Sequence, residues 1–220
     1  MLWSRSDLPP VLGEYRDMAK EFDQRRGNLE AAPRFYPGSP WFARLLLRVQ
    51  DRLALCEMHP EEYDALRSEF QLIERVSVQE IDGYTAIRGM LPPPERRALV
   101  LIDPPFEAQD EFAQIAAALA EGLRRFASGV FAVWYPLTER ARIEEFFRAV
   151  RELNPPPTLA AELAVAGEFA PMKMKGCGLL VVNPPWQFDT EAEELLAFLA
   201  TALAQAPGGG GRVEWIVREG

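Results

Sequence analysis

Ala98-Leu99-Val100-Leu101-Ile102-Asp103-Pro104-Pro105-Phe106 decides how this chain folds. Five consecutive apolar residues with no polar alternation read as a strand buried on both faces of a parallel sheet. The next four residues change character at once. Two prolines cannot continue a hydrogen-bonded ladder, so the strand stops at Ile102 and an acid and an aromatic flank a stiff turn. Open α/β folds gather their functional groups beyond the carboxyl ends of such strands, which places Asp103 where a site is expected.

The flanking sequence alternates strand and helix patterns. Upstream, Asp51–Glu57 and Ile73–Gln79 read as strands separated by a helix over Pro60–Phe70, with Pro60 at its start. Downstream come a helix over Gln109–Phe126, a strand over Gly129–Trp134 and a helix over Thr138–Leu153. The stiff connector Asn154-Pro155-Pro156-Pro157 leads to strands over Leu159–Val165 and Gly178–Val182, and a helix over Glu191–Leu203 follows. Gly208–Gly211 reads as a flexible turn before a closing edge strand over Val213–Val217. This alternation predicts an α/β sheet with flanking helices. Leu8, Leu12, Tyr15, Met18 and Phe22, with Leu2-Trp3 before them, give Met1–Phe22 the spacing of an amphipathic helix. The expected organisation is a helical insertion over 1–38 and a sheet domain over 39–220.

Residue types at the strand ends point to chemistry on an exocyclic amine. The amino nitrogen of a nucleobase is a poor nucleophile because its lone pair is delocalised into the ring. Asp103 can accept one N–H bond and the Pro104 carbonyl the other, which draws the nitrogen toward tetrahedral geometry and stabilises its developing positive charge. Phe106 can stack on the base, and the prolines keep the acceptors pre-set. Asp-Pro-Pro also forms ordinary strand-end turns, so the tetrapeptide does not stand alone. Glu57 ends one expected strand, where a carboxylate can accept both ribose hydroxyls of a bound nucleoside. Asp82-Gly83 follows another; there the acid can take an adenine amine, and glycine admits close backbone approach. A second Pro-Pro motif, Asn183-Pro184-Pro185-Trp186, follows Gly178–Val182. Chain order assigns the chemistry to the first motif and reads the second as a turn into a helix.

Charge narrows how an acidic polymer can be held. The 220 residues carry a formal net charge of −9, so any contact with phosphate must be local. Arg96-Arg97, Arg124-Arg125 and the pair Lys173 and Lys175 are the candidate patches, although such a pair is more often a solvated loop or helix end. The two-lysine loop is the strongest, because a base leaving its stack needs a basic lip beside the pocket. Tyr135, in Trp134-Tyr135-Pro136, is placed either as a wall of that pocket or as a core cap. His59 reads as a residue at the start of a helix rather than a cofactor contact. At 48% hydrophobic content the chain can bury a sizeable core. It contains no apolar run long enough to span a membrane and no signal-peptide pattern at its start, so a cytoplasmic location is expected. Cys56 and Cys177 lack metal-ligand spacing and read as buried free thiols; no metal is implied.

Taken together, Tyr36-Pro37-Gly38-Ser39-Pro40, Glu57-Met58-His59-Pro60, Asp82-Gly83-Tyr84, Asp103-Pro104-Pro105-Phe106, Trp134-Tyr135-Pro136 and Asn183-Pro184-Pro185-Trp186 resemble, in order and approximate spacing, the bacterial 23S rRNA adenine-N6 methyltransferase J family. The resemblance covers essentially the whole chain. It implies a class I, Rossmann-like enzyme that uses S-adenosyl-L-methionine to methylate N6 of one adenine in naked 23S rRNA; a monomer is the separate expectation for its assembly. Ser39, Glu57, Asp82 and Gly83 match the family's cofactor-contacting positions, and Asp103 matches its catalytic acid. One departure stands out: the family's histidine-rich opening segment and its first strand with a glycine-rich loop have no counterpart here. Met1–Phe22 resembles instead the family's helical insertion after that strand. The expectation is therefore a sheet without strand one, from an N-terminally incomplete version of the gene, with the flanks of the neighbouring strands exposed. Two alternatives remain open at this point: a DNA adenine-N6 methyltransferase, and a non-catalytic remnant that binds RNA or a partner.

Overall fold

A computed structural model describes residues 2–218; Met1, Glu219 and Gly220 lie outside them. The chain divides into two compact units, one ending at Gly83 and the other beginning at Tyr84.

The first unit carries α1 (Pro10–Arg25), α2 (Ser39–Leu46), β1 (Leu53–Glu57), α3 (Pro60–Phe70) and β2 (Val76–Glu80). The helix expected from the chain's start begins only at Pro10, after a short 3-10 turn at Leu2–Ser4. Proline fits the first helical turn, where its missing N–H would have no partner, and it cannot extend the helix backwards. Aromatic contacts join the three helices: Tyr15 stacks on Phe42 at 4.6 Å, Phe22 meets Trp41 at 5.5 Å, and Trp41 meets Phe70 at 4.8 Å. Arg26 pairs with Glu69 and lies over the Phe22 ring. β1 and β2 pair in parallel from Leu53 opposite Val76 to Glu57 opposite Glu80, with α3 as the crossover.

The chain passes into the second unit through α4 (Gly83–Met90), a helix not anticipated from the sequence. Then follow β3 (Leu99–Ile102), α5 (Glu111–Arg125), β4 (Val130–Pro136), α6 (Arg140–Glu152), β5 (Thr158–Ala164), β6 (Gly176–Val182), α7 (Phe188–Ala202) and β7 (Gly210–Val217). The five strands lie in the order β3-β4-β6-β5-β7. The first pair is parallel and the remaining three are antiparallel. Ile115, Leu119, Phe131, Phe146, Phe147, Val150 and Leu180 are fully buried and form the centre of the core. Burying side chains of this size stabilises by roughly 1.5–3 kcal/mol each.

One expectation about β3 is corrected. Ile102 is buried, but Leu99 and Leu101 are 68% and 50% exposed. Side chains alternate along a strand, so Val100 and Ile102 reach the core while Leu99 and Leu101 share the opposite, solvent-facing side. Within its sheet β3 pairs with β4 alone, as befits an edge position.

A polar row crosses the same sheet. Tyr135 on β4, Gly178 on β6 and Glu162 on β5 are register partners. Any Cβ at Gly178 would stand 2.2 Å from the Tyr135 ring, so the absence of a side chain there lets the tyrosine lie across β6. Its hydroxyl donates to the buried Glu162 carboxylate at 2.9 Å, and Arg140 Nη1 donates to both oxygens of that carboxylate at 2.8 and 2.7 Å. The buried charge is thus paired and hydrogen-bonded, as burial of a carboxylate requires.

Candidate active site

Asp103 follows directly on β3, and its neighbourhood in the second unit is set by the pairing of β3 with β4. Ile102 lies opposite Val133, so the Asp103–Phe106 turn emerges beside the Trp134–Pro136 end of β4. Phe106 has φ 52°, in the left-handed region that costs a bulky residue on the order of 1–2 kcal/mol. Ring contacts hold it there: Phe112 of α5 at 5.1 Å and Trp134 at 5.8 Å, both edge-on, with Phe112 stacked in turn on Phe146 at 4.9 Å. Such geometry is the favoured one for aromatic pairs. Asp103 is exposed as a residue, yet partial burial of its carboxyl raises its pKa above the ordinary carboxylate value. Among the described residues no donor engages that carboxylate, so its acceptor capacity is available to a ligand.

Of the two readings of Tyr135, pocket wall or core cap, the polar row described above matches the core cap. Its side chain is 0% exposed, packed edge-on against Phe147 at 5.9 Å and tied to Glu162. The aromatic residue that reaches the Asp103 turn is its neighbour Trp134, half-buried. A strand reverses sides at each residue, and the segment Trp134-Tyr135-Pro136 does not reveal which parity faces the turn.

Strand direction separates the two Pro-Pro motifs. β6 runs antiparallel to β4, from Cys177 opposite Pro136 to Val182 opposite Phe131. Asn183 therefore stands at the end of the sheet remote from Asp103. There its side-chain amide donates to the carbonyls of Ala127 and Gly129, both at 2.8 Å, and its backbone N–H donates to Pro157 at 2.8 Å. Its φ of 53° suits asparagine better than most residues. This motif fastens β6 to the α5–β4 turn, in keeping with its reading as a turn before a helix, α7.

The two-lysine loop leaves the other end of β6, the end that carries Asp103. Lys175 is half-buried and its N–H donates to Leu137 at 2.9 Å, directly after β4; Lys173 is exposed. The remaining basic candidates divide. Arg124 and Arg125 share the single Glu121 carboxylate at 2.8 and 2.6 Å, which makes them a partly compensated helix end, whereas Arg96 and Arg97 are exposed.

The first unit holds the expected cofactor residues. Glu57 closes β1 and Asp82 follows β2; because the strands are parallel, both acids stand at the carboxyl end of that sheet. Glu57 accepts the His59 N–H at 2.8 Å, turning the chain into α3, and it also lines a cavity of about 560 Å³ with Phe22, Tyr36, Trp41 and Phe70. His59 is the residue preceding Pro60 at the start of α3. Gly83 begins α4 with open space where a Cβ would stand. Ser39 opens α2 and is exposed. Its approach is shaped by the buried Asp23, which accepts the backbone N–H of Arg34 and Phe35 and the amide of buried Asn28. Two acids and an open glycine at the ends of adjacent parallel strands suit the hydroxyls and amine of a nucleoside, so this set of acceptors fits the adenosine part of S-adenosyl-L-methionine. Cys56 and Cys177 are free thiols, both half-buried.

Residues 1–217 match the family described as ribosomal RNA large subunit methyltransferase D, RlmJ. Two curated relatives, both named ribosomal RNA large subunit methyltransferase J, come from Escherichia coli K12 and Haemophilus influenzae Rd. They are 40% and 38% identical over 99% of this chain and 76% of their own length. A crystal structure of a Legionella pneumophila protein superposes with a TM-score of 0.86 at 34% identity, covering 97% of this chain and 78% of that one.

Proposed function

The chain belongs to the ribosomal RNA large subunit methyltransferase J family, and on that premise we propose that it transfers a methyl group from S-adenosyl-L-methionine to N6 of an adenine in protein-free 23S rRNA. The observation that carries this reading is the Asp103 turn: an available carboxylate at the carboxyl end of β3, flanked by the Phe106 and Trp134 rings. When bound, the cofactor supplies an electrophilic methyl on a sulfonium. The chain supplies everything else. Asp103 and the Pro104 carbonyl accept the two N6 protons' hydrogen bonds, which directs the nitrogen lone pair out of conjugation. Positive charge growing on N6 is stabilised by the Asp103 carboxylate, and no covalent bond to the protein forms. Phe106 contacts the flat face of the adenine, while Lys173 and Lys175 meet nearby phosphates. Ser39, Glu57, Asp82 and Gly83 hold the cofactor, with Glu57 on the ribose and Asp82 on the adenine amine. The chain works as a cytoplasmic monomer without a metal ion; no helix among the described residues is long and apolar enough to cross a membrane.

The test is transfer of labelled methyl from S-adenosyl-L-methionine to unmodified, protein-free 23S rRNA, with duplex DNA as a parallel substrate and Asp103→Ala as control. N6-methyladenine in rRNA from the wild type only is the expected result. Equal label from Asp103→Ala, or label in DNA alone, overturns the assignment.

A further inference from the structure

The connection from β5 to β6, residues 165–175, combines features that the catalytic assignment does not use. Its base is a built structure. Val165 N–H donates to Lys175 at 2.8 Å, Gly167 N–H to Pro207 at 3.0 Å, and Ala170 N–H to Gly167 at 3.0 Å. Gly167 lies so close to the turn between α7 and β7 that a Cβ there would stand 2.9 Å from the Pro207 carbonyl oxygen. From this anchored turn the Phe169 side chain projects into solvent, 98% exposed. Met174 is 52% exposed, and Lys173 beside it is exposed too. A phenylalanine so placed contributes nothing to packing, and its turn is pinned at both ends.

Position and charge indicate what it meets. The loop joins β5 and β6 at the end of the sheet where β4 finishes and Asp103 emerges. Against a chain net charge of −9, the loop is net positive: Lys173 and Lys175 outweigh Glu168, the acid next to Phe169. An exposed ring beside cations is how proteins hold unpaired nucleotides without reading their sequence, the ring stacking on a base and the lysines meeting phosphate. An adenine drawn to Asp103 must leave its stack, which leaves its neighbours unpaired and accessible.

We propose that Phe169 is an RNA-stacking residue, taking an unpaired nucleotide beside the target adenine while Lys173 and Lys175 hold its phosphates. This rests on the rRNA methyltransferase reading and extends it to a part of the chain remote in sequence from Asp103.

Steady-state methylation of a protein-free rRNA fragment by Phe169→Ala, Phe169→Leu, Phe169→Trp and Lys173→Ala/Lys175→Ala tests it. Phe169→Ala raises the KM for RNA about tenfold, within the range for loss of one base–aromatic stack, while the KM for S-adenosyl-L-methionine and the melting temperature stay at wild-type values. Phe169→Trp restores the RNA KM, and Phe169→Leu does not. The double lysine variant flattens the salt dependence of RNA binding, whereas Phe169→Ala leaves its slope intact. Wild-type RNA KM in Phe169→Ala overturns the inference and leaves the methyltransferase reading standing. Full rescue by leucine also overturns it, since an apolar contact with a partner protein would need no ring. Absence of rRNA methylation by the wild type overturns the underlying reading itself.

Discussion

The Trp134 indole meets the Phe106 ring edge-on with centroids 5.8 Å apart, and this contact braces a phenylalanine whose backbone sits at φ 52°. Phe112 supplies the only other ring contact to Phe106 among the described residues. Removing the indole therefore leaves a strained residue supported from one side. Trp134→Ala is expected to lower stability by about 2–3 kcal/mol, below the cost for a fully buried ring because Trp134 is half-buried. It should also lower kcat for methyl transfer more than it weakens cofactor binding. Trp134→Phe keeps an aromatic edge against Phe106 and should recover most of kcat. Thermal unfolding and single-turnover kinetics on both variants check this; equal kcat in Trp134→Ala and wild type would show that the brace has no bearing on the reaction.

The Asp103 carboxyl sets the acid side of the pH profile. Desolvation disfavours its charged form and raises its pKa above the ordinary value. Only the ionised form accepts both an N–H bond and the charge developing on N6, so transfer should fall with decreasing pH at a point above the ordinary aspartate value. Stability runs the other way. With a folded pKa above the unfolded one, the folded state binds more protons between the two values, so this group's contribution to stability improves as pH falls through the folded pKa. Asp103→Asn removes both dependences. It should lose on the order of 10²–10³-fold in kcat while its stability at neutral pH equals or exceeds that of the wild type. Chemical denaturation and kcat measured across acid to neutral pH check the pair of signs; a destabilised Asn variant at neutral pH would contradict them.

Much of this was legible in the sequence because strand and helix periods leave plain marks. Every expected strand from Asp51–Glu57 to Val213–Val217 lies within a few residues of its observed counterpart, and the helix over Pro60–Phe70 has the same bounds. Three things were not legible. α2 and α4 were missed because each is only eight residues long, and Gly83–Met90 opens and nearly closes with glycines that weaken any helical signal. The exposure of Leu99 and Leu101 was hidden because an apolar run does not show how many neighbours a strand has. Whether Tyr135 walls the pocket or caps the core depended on strand parity, and the deciding residue was Gly178, some forty positions on, whose missing Cβ admits the tyrosine ring. Chain order did separate the two Pro-Pro motifs, and antiparallel pairing of β4 with β6 supplies the physical reason they end up at opposite ends of the sheet.

That separation makes the last prediction sharp, because two look-alike motifs should fail in different ways. Asn183 donates to the Ala127 and Gly129 carbonyls and sits in a left-handed conformation that alanine tolerates less well. Asn183→Ala leaves both carbonyls without that donor and adds backbone strain, for an expected loss of about 1–3 kcal/mol in stability. The damage falls at the end of β6 remote from Asp103, so kcat per folded molecule should remain near the wild-type value at temperatures well below unfolding. Asp103→Asn should show the converse, a folded chain whose kcat falls by on the order of 10²–10³-fold. Urea denaturation of Asn183→Ala, followed by methyl transfer normalised to folded protein, decides the matter. A large fall in kcat with unchanged KM values would mean that the second motif reaches the reaction after all, contrary to its position at the far end of the sheet.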